Sequence, residues 1–206
     1  LAQTKDIPDP PHGSKEALTR VRDQARVQYV GRERKAPYYE LIEPFDTEHG
    51  LALLPSPTAD DIFLDFEGNH FTEHGVQEYL TGYVTRGSNG KDLYTPLWAG
   101  TLEEERHAFE RFMDTATEVR ERNPDAHIYH FAPYEPTALK RLMGRFATRE
   151  VELDRLLRGQ AFVDLYRVVK HALLAGVERY SIKDLEPFFG YARQQDLRDA
   201  SVSRRI

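Results

Sequence analysis

The run Asp61-Ile62-Phe63-Leu64-Asp65-Phe66-Glu67-Gly68 places two carboxylates, one residue apart, in an apolar stretch. In an extended chain alternate residues share a face. Asp65 and Glu67 then point together, and Ile62, Leu64 and Phe66 point the other way into packing. Their Cα atoms would lie about 6.5 to 7 Å apart. Two ionised acids on an otherwise buried strand are costly without compensation. A divalent cation supplies it: Mg²⁺ and Mn²⁺ take hard oxygen ligands, commonly one or two carboxylates with water and substrate phosphate. Two such ions about 3.5 to 4 Å apart activate a water and stabilise the leaving oxygen of a phosphodiester. The plainer reading is a strand end where both acids are solvated. Spacing does not decide, because Asp46-Thr47-Glu48 and Asp184-Leu185-Glu186 repeat it. The first lies among turn residues. The second lies in a predicted helix, where i and i+2 do not share a face, and Ser181 with Asp184 three residues on reads as its cap.

A third acid follows the fourth predicted strand, in His130-Phe131-Ala132-Pro133-Tyr134-Glu135-Pro136. With that strand beside the first, Glu135 would approach Asp65 at the carboxyl ends of the strands, where open α/β sheets bind ligands. Its plainer role is to favour a helix N-terminus. A competing pattern is His70-Phe71-Thr72-Glu73-His74, which matches the H-x-x-E-H order of a zinc hydrolase. That chemistry needs both histidines on one helical face. Gly68 and Gly75 bracket the segment within a connection between strands, which disfavours a helix.

The elements that would position these groups are legible. Ile62–Glu67 reads as a buried strand, Glu78–Arg86 as a second and Leu93–Ala99 as a third, with Ser88-Asn89-Gly90 as the hairpin turn between the last two. Thr101 and Glu104 form a capping box for a helix carrying Leu102, Phe109, Phe112, Met113, Ala116 and Val119. That helix stops at Asn123-Pro124. Ala126–Phe131 is the fourth strand, a helix runs from Pro136, and Ala161–Leu165 is the fifth strand. Tyr166–Leu174 and Ile182–Phe189 read as helices. Three meandering strands pair antiparallel, and strands reached by helical crossovers lie parallel to the first. The expected fold is α/β: a mixed five-stranded sheet, three antiparallel then two parallel strands, with helices on both faces. A ribonuclease H-like fold has this order, as do other mixed sheets. Upstream, a helix over Lys15–Arg34 is capped by Ser14 and shows a basic face of Arg20, Arg22, Arg26, Arg32 and Arg34. That face is a solvated surface or a phosphate-contacting arm. Residues 36–60, punctuated by Pro37, Pro44, Pro55 and Pro57, read as a linker or a short strand pair.

The 206 residues allow one to two domains. Hydrophobic residues at 40% and charged residues at 30% fit a globular chain rather than a disordered one. The absence of cysteine excludes disulfides, thiolate metal sites and a cysteine nucleophile. The formal charge of -6 argues against a general nucleic-acid coat but permits a local basic groove. No apolar run spans a bilayer and no signal-peptide pattern opens the sequence, so a cytoplasmic location is expected. Neither end has a start methionine or a Gly or Pro stop, which reads as a piece of a longer protein.

Taken together these motifs resemble a known group. Asp65 to Gly68 looks like the first motif of DEDD-type exonucleases. His130 to Leu142 looks like the second, with Tyr134-Glu135 in place of Phe-Asp. Phe162-Val163-Asp164-Leu165-Tyr166 and Tyr180-Ser181-Ile182-Lys183-Asp184-Leu185-Glu186 are similar to RecB-like nucleases with a ribonuclease H-like domain, as are the runs from Gly50 to Pro55 and from His127 to His130. The resemblance covers residue 15 to the end. It implies metal-dependent hydrolysis of DNA or RNA, from 3′ to 5′, with Mg²⁺ or Mn²⁺. Asp65 would bridge the ions, Glu67 would hold one and orient the water, and Glu135 would hold the second. His130 would position Glu135 or a phosphate, or serve simply as a satisfied strand-end histidine; Lys183 would contact phosphate or stand as a solvated first-turn lysine. Asp164 would be structural, pairing with a helix start. Residues 1–35 would end a helical connector from a RecB-like nuclease part, 36–59 would link, and 60–206 would be the ribonuclease H-like domain, often followed by a helicase-like ATPase. Two departures stand out. The second-motif acid is a glutamate. The third motif is absent, since Tyr191 and Asp196 do not match its spacing, and the fourth acid is expected beyond Ile206. A non-catalytic scaffold that guides nucleic acid is the alternative.

Overall fold

Alternation decides the central strand. In the computed structural model, which describes residues 2–4, 12–73, 75–87 and 89–191, α1 spans Lys15–Arg34, β1 Tyr39–Leu41 and β2 Ile62–Thr72. Along β2, Ile62, Leu64 and Phe66 are buried while Phe63, Asp65 and Glu67 are exposed. Then follow β3 (Gly75–Arg86), β4 (Asp92–Trp98), α2 (Leu102–Arg122), β5 (Ile128–His130) and α3 (Tyr134–Phe146). The order closes with α4 (Glu150–Arg158), β6 (Phe162–Asp164), α5 (Leu165–Ala172), β7 (Leu173–Ala175) and α6 (Ile182–Leu185).

Contacts divide the chain into two compact units. One is Phe45–His171, and the other combines Leu1–Pro44 with Ala172–Ile206. The first holds a five-stranded sheet in the order β4-β3-β2-β5-β6. β2 pairs antiparallel with β3 and parallel with β5, β3 pairs antiparallel with β4, and β5 parallel with β6. This is the expected mixed sheet, with the fourth predicted strand beside the first. The turn before β4 has Gly90 at φ +72°, the conformation that favours glycine; Ser88 lies outside the described residues.

One sheet face is packed by helices. Ile62, Leu64, Phe66, Tyr83 and Ile128 join Phe109, Phe112, Met113 and Ala116 of α2, Leu139 and Leu142 of α3, and Leu153 and Leu156 of α4 in one core. The capping box at Thr101 and Glu104 forms as expected, and Asn123 caps the far end of α2. The opposite face of β2 to β4 carries exposed side chains among the described residues. There Phe63, Tyr94 and Trp98 are exposed along with Asp65 and Glu67. Two differences from expectation have local causes. α3 begins at Tyr134 rather than Pro136, because a proline in the first turn removes no hydrogen bond the helix needs. The short helix α4 was not expected, and its few apolar positions, Val151, Leu153, Leu156 and Leu157, make a weak periodic signal.

In the second unit α1 forms over the expected residues with Ser14 as its cap. β1 pairs antiparallel with β7, so residues 39–41 take a partner far along the chain rather than a neighbour. Gly31 and Gly176 approach each other, with a Cβ on Gly31 meeting the Gly176 Cα at 3.4 Å. Gln24 and Gln28 donate to the carbonyls of Ala175 and Val177 at 2.8 and 2.7 Å. Ser181 caps α6 through Asp184, the structural role expected of the third D-x-E run. Among the described residues no helix is long and apolar enough to cross a membrane.

Candidate functional site

Asp65 and Glu67 stand on the exposed face of β2, opposite Gly82 and Leu80 of β3. Beyond Gly82 lies Pro96 of β4, and beyond Leu80 lies Trp98. Gly82 leaves room for Tyr94: a Cβ there would meet the Tyr94 hydroxyl at 2.8 Å and its ring at 3.2 Å. Burial, and then the charges of Asp65 and Glu67, push the Tyr94 phenol above its ordinary pKa. On the same face Phe63 stacks on Tyr129 at 5.2 Å. Two carboxylates are thus presented on a floor ringed by aromatic side chains. Tyr94, Pro96 and Trp98 alternate in the sequence, so their shared face was readable; their nearness to Asp65 required the register.

Gly68 ends the motif for a reason the sequence does not disclose. A Cβ there would lie 2.6 Å from both the Glu78 Oε2 and the Tyr134 hydroxyl. Tyr134 donates to Glu78 Oε1 at 2.8 Å, and Arg141 donates to the same oxygen. Glu105 accepts from the Glu78 backbone N–H at 2.6 Å and pairs with Arg145 at 2.9 Å. Burial, followed by the hydrogen bond to Glu78, pushes the Tyr134 phenol up to about 12. Burial also raises Glu105, against the pull of Arg145. This buried polar set ties α2 and the length of α3 to β3. The i, i+4 pair Arg141 and Arg145 was its sequence signal.

Glu135 is buried, with its Oε2 3.4 Å from His130 Nδ1 and without a hydrogen bond. His130 Nδ1 bonds to the Ala132 carbonyl at 2.7 Å. Ala132 is held at φ +72°, a conformation that costs energy for a residue with a Cβ. Its N–H donates to Asp164 at 2.9 Å. Asp164 also accepts from the Tyr166 N–H at the start of α5, the structural role expected of it. His130 thus serves the turn before Glu135, at the edge of a cleft of about 690 Å³ also lined by Leu54, Phe162 and Arg167.

The three acids are not brought together. Among the described residues no group of three or more His, Cys, Asp or Glu side chains could hold a metal ion. Asp65 and Glu67 share the open face; Glu135 lies buried beside His130. The pair still fits a hard divalent ion by donor chemistry, since Mg²⁺ takes one or two carboxylates. The lone Glu135 oxygen is an orphaned buried acceptor. Lys183 is exposed in the first turn of α6, in the other unit. The zinc pattern fails on geometry: His70 lies in β2 and Glu73 in the turn after it, not on a helix. His74 and Asp196 lie outside the described residues.

Comparison with curated proteins and with solved structures returns no match. The family comparison does return one, to the RNase H superfamily over residues 62–205, a span that takes in the sheet, the carboxylate strand and the helices behind it. That span is well over half of the sequence, and the chain therefore belongs to the RNase H superfamily.

Proposed function

We propose that the chain is the nuclease part of a larger cytoplasmic protein and hydrolyses phosphodiester bonds of DNA or RNA as a 3′ to 5′ exonuclease with Mg²⁺ or Mn²⁺. The observation that supports this most is Asp65 and Glu67 together on the exposed face of the central strand in an RNase H superfamily sheet. A divalent ion bound there would supply Lewis-acid activation of water and charge neutralisation. Asp65 and Glu67 are its holders in this reading, and Glu135 is the third carboxylate. His130, at the edge of the cleft in the same unit, is the candidate phosphate contact in this reading. In this reading the partners are a RecB-like nuclease part and a helicase-like ATPase elsewhere in the parent chain.

One observation favours a second reading, a scaffold that binds nucleic acid without cutting it: Glu135 does not join the other two acids among the described residues. The test is cleavage of labelled single-stranded and duplex DNA and RNA by the full parent protein in Mg²⁺ or Mn²⁺. Asp65→Ala is expected to cut the rate by roughly 10²- to 10³-fold, the size of losing a group that stabilises developing charge. Glu135→Gln examines the third acid separately. Undiminished cleavage in Asp65→Ala would assign the activity to another domain. Salt-sensitive binding with no cleavage selects the scaffold.

A further inference from the structure

We infer that the aromatic row beside the carboxylates, exposed Tyr94 and Trp98 with half-buried Tyr79 behind the indole, is a stacking track for unpaired nucleotides. This deepens the nuclease reading and rests on it for the direction in which the strand runs. The row begins at the acids. Trp98 lies two strands from Glu67, through Leu80, which is about 10 Å across the sheet. Its indole stacks on Tyr79 with centroids 6.4 Å apart and planes 20° apart, and its outer face is open, at 65% exposure. Tyr94, more than half exposed, lies over Gly82, directly across from Asp65.

The surroundings choose the occupant. A second copy adding a strand to β4 would lose a ladder hydrogen bond at its centre. The Ala99 N–H points inward to Tyr79. Strand alternation therefore turns the nitrogen of residue 96 outward, and residue 96 is a proline with no N–H to give. Among the described residues the face of the sheet is open. Two planar rings there suit planar bases, because base–aromatic stacking accepts any sequence. Bases paired in a duplex have no free faces for such rings. The loop end of the row carries two cations against one acid. Arg86 and Lys91 stand exposed where β3 turns into β4, the end away from Glu67, with Asp92 3.9 Å from Arg86. The row is continuous with the carboxylate pair, so a strand reaching those acids along β4 crosses it.

Trp98 is the only tryptophan in the chain, so its fluorescence reports on the row directly. The chain is titrated in EDTA, which prevents cleavage, with a single-stranded oligothymidylate and with a duplex of the same length. The expected result is saturable quenching of Trp98 by the single strand and none by the duplex. Binding of a fluorescein-labelled single strand, read by anisotropy, should weaken roughly 5- to 150-fold in Trp98→Ala, the range for one lost stack. Trp98→Phe should restore most of it. Binding without a Trp98 response, equal quenching by duplex, unchanged affinity in Trp98→Ala, or no binding overturns the track. A Trp98 shift that depends on protein concentration alone assigns the face to self-association and also overturns it. The two readings fail separately: quenching without metal-dependent cleavage sinks only the nuclease, and cleavage without quenching sinks only the track.

Discussion

Gly68→Ala tests whether the glycine of the carboxylate motif is there for space. The backbone at Gly68 is not in the left-handed region, so the substitution adds no conformational strain. What it adds is a methyl 2.6 Å from two oxygens, Glu78 Oε2 and the Tyr134 hydroxyl. Each must retreat by about 0.8 Å to reach ordinary contact. Neither is free to do so. The Glu78 side chain is fully buried and held by Arg141, and Tyr134 is held by Glu78 at 2.8 Å. Overpacking a rigid site costs about 1–3 kcal/mol. Weakening a hydrogen bond to a charged acceptor adds part of a further 1.5–3 kcal/mol. The expected destabilisation is about 2–4 kcal/mol, read by urea unfolding, or a fall in Tm of about 5–15 °C. Tyr134→Phe removes one of the two obstructing oxygens. In the Gly68→Ala/Tyr134→Phe double variant the costs should fall short of additivity by about 1 kcal/mol. A cost below about 0.5 kcal/mol for Gly68→Ala, or an additive double variant, would refute the steric account.

Further outcomes follow from other parts of the fold. Glu78→Ala leaves Arg141 and Tyr134 without their shared acceptor and is expected to cost about 3–5 kcal/mol, measured by urea unfolding. Phe109→Ala opens a cavity under the sheet at a fully buried position and should cost about 3–5 kcal/mol by the same method. Thr101→Ala breaks the capping box of α2 and should cost about 1 kcal/mol, visible in the thermal midpoint. Arg26, with lesser help from Tyr38, holds the Glu40 carboxyl down to about 2. The folded value lies below the unfolded one, so the pair stabilises fully above about pH 4.3 and loses its effect as pH falls toward 2. The side chains of this pair are 40% and 30% exposed, and solvent screening leaves about 1 kcal/mol. The stability gap between wild type and Glu40→Gln should close over that pH window; a gap that persists at its lower end would count against the ion pair.

The sequence carried the sheet through local patterns. The two-residue alternation of β2 and the capping box before α2 depend on near neighbours, so both were readable before any partner was known. β7 was not, because Leu173–Ala175 continues directly from α5 and becomes a strand only by pairing with β1. The site divided in the same way. That Asp65 and Glu67 share a face follows from spacing alone. The burial of Glu135 depends on a left-handed turn at Ala132, held by Asp164 from one side and His130 from the other. No pattern within the run His130 to Pro136 discloses that Asp164, on another strand, takes part.

The pairing of β1 with β7 bears on the order in which the protein matures during synthesis. Val27 in α1 is fully buried, and its carbonyl would lie 3.3 Å from a Cβ on Gly176. The Ile42 N–H waits for the Ala172 carbonyl, which it meets at 2.8 Å. On a ribosome, which emits the N-terminus first, everything from Phe45 to His171 emerges in between. The earlier-made α1 is thus completed only after the sheet has emerged, and that sheet can settle while its predecessor still lacks a mate.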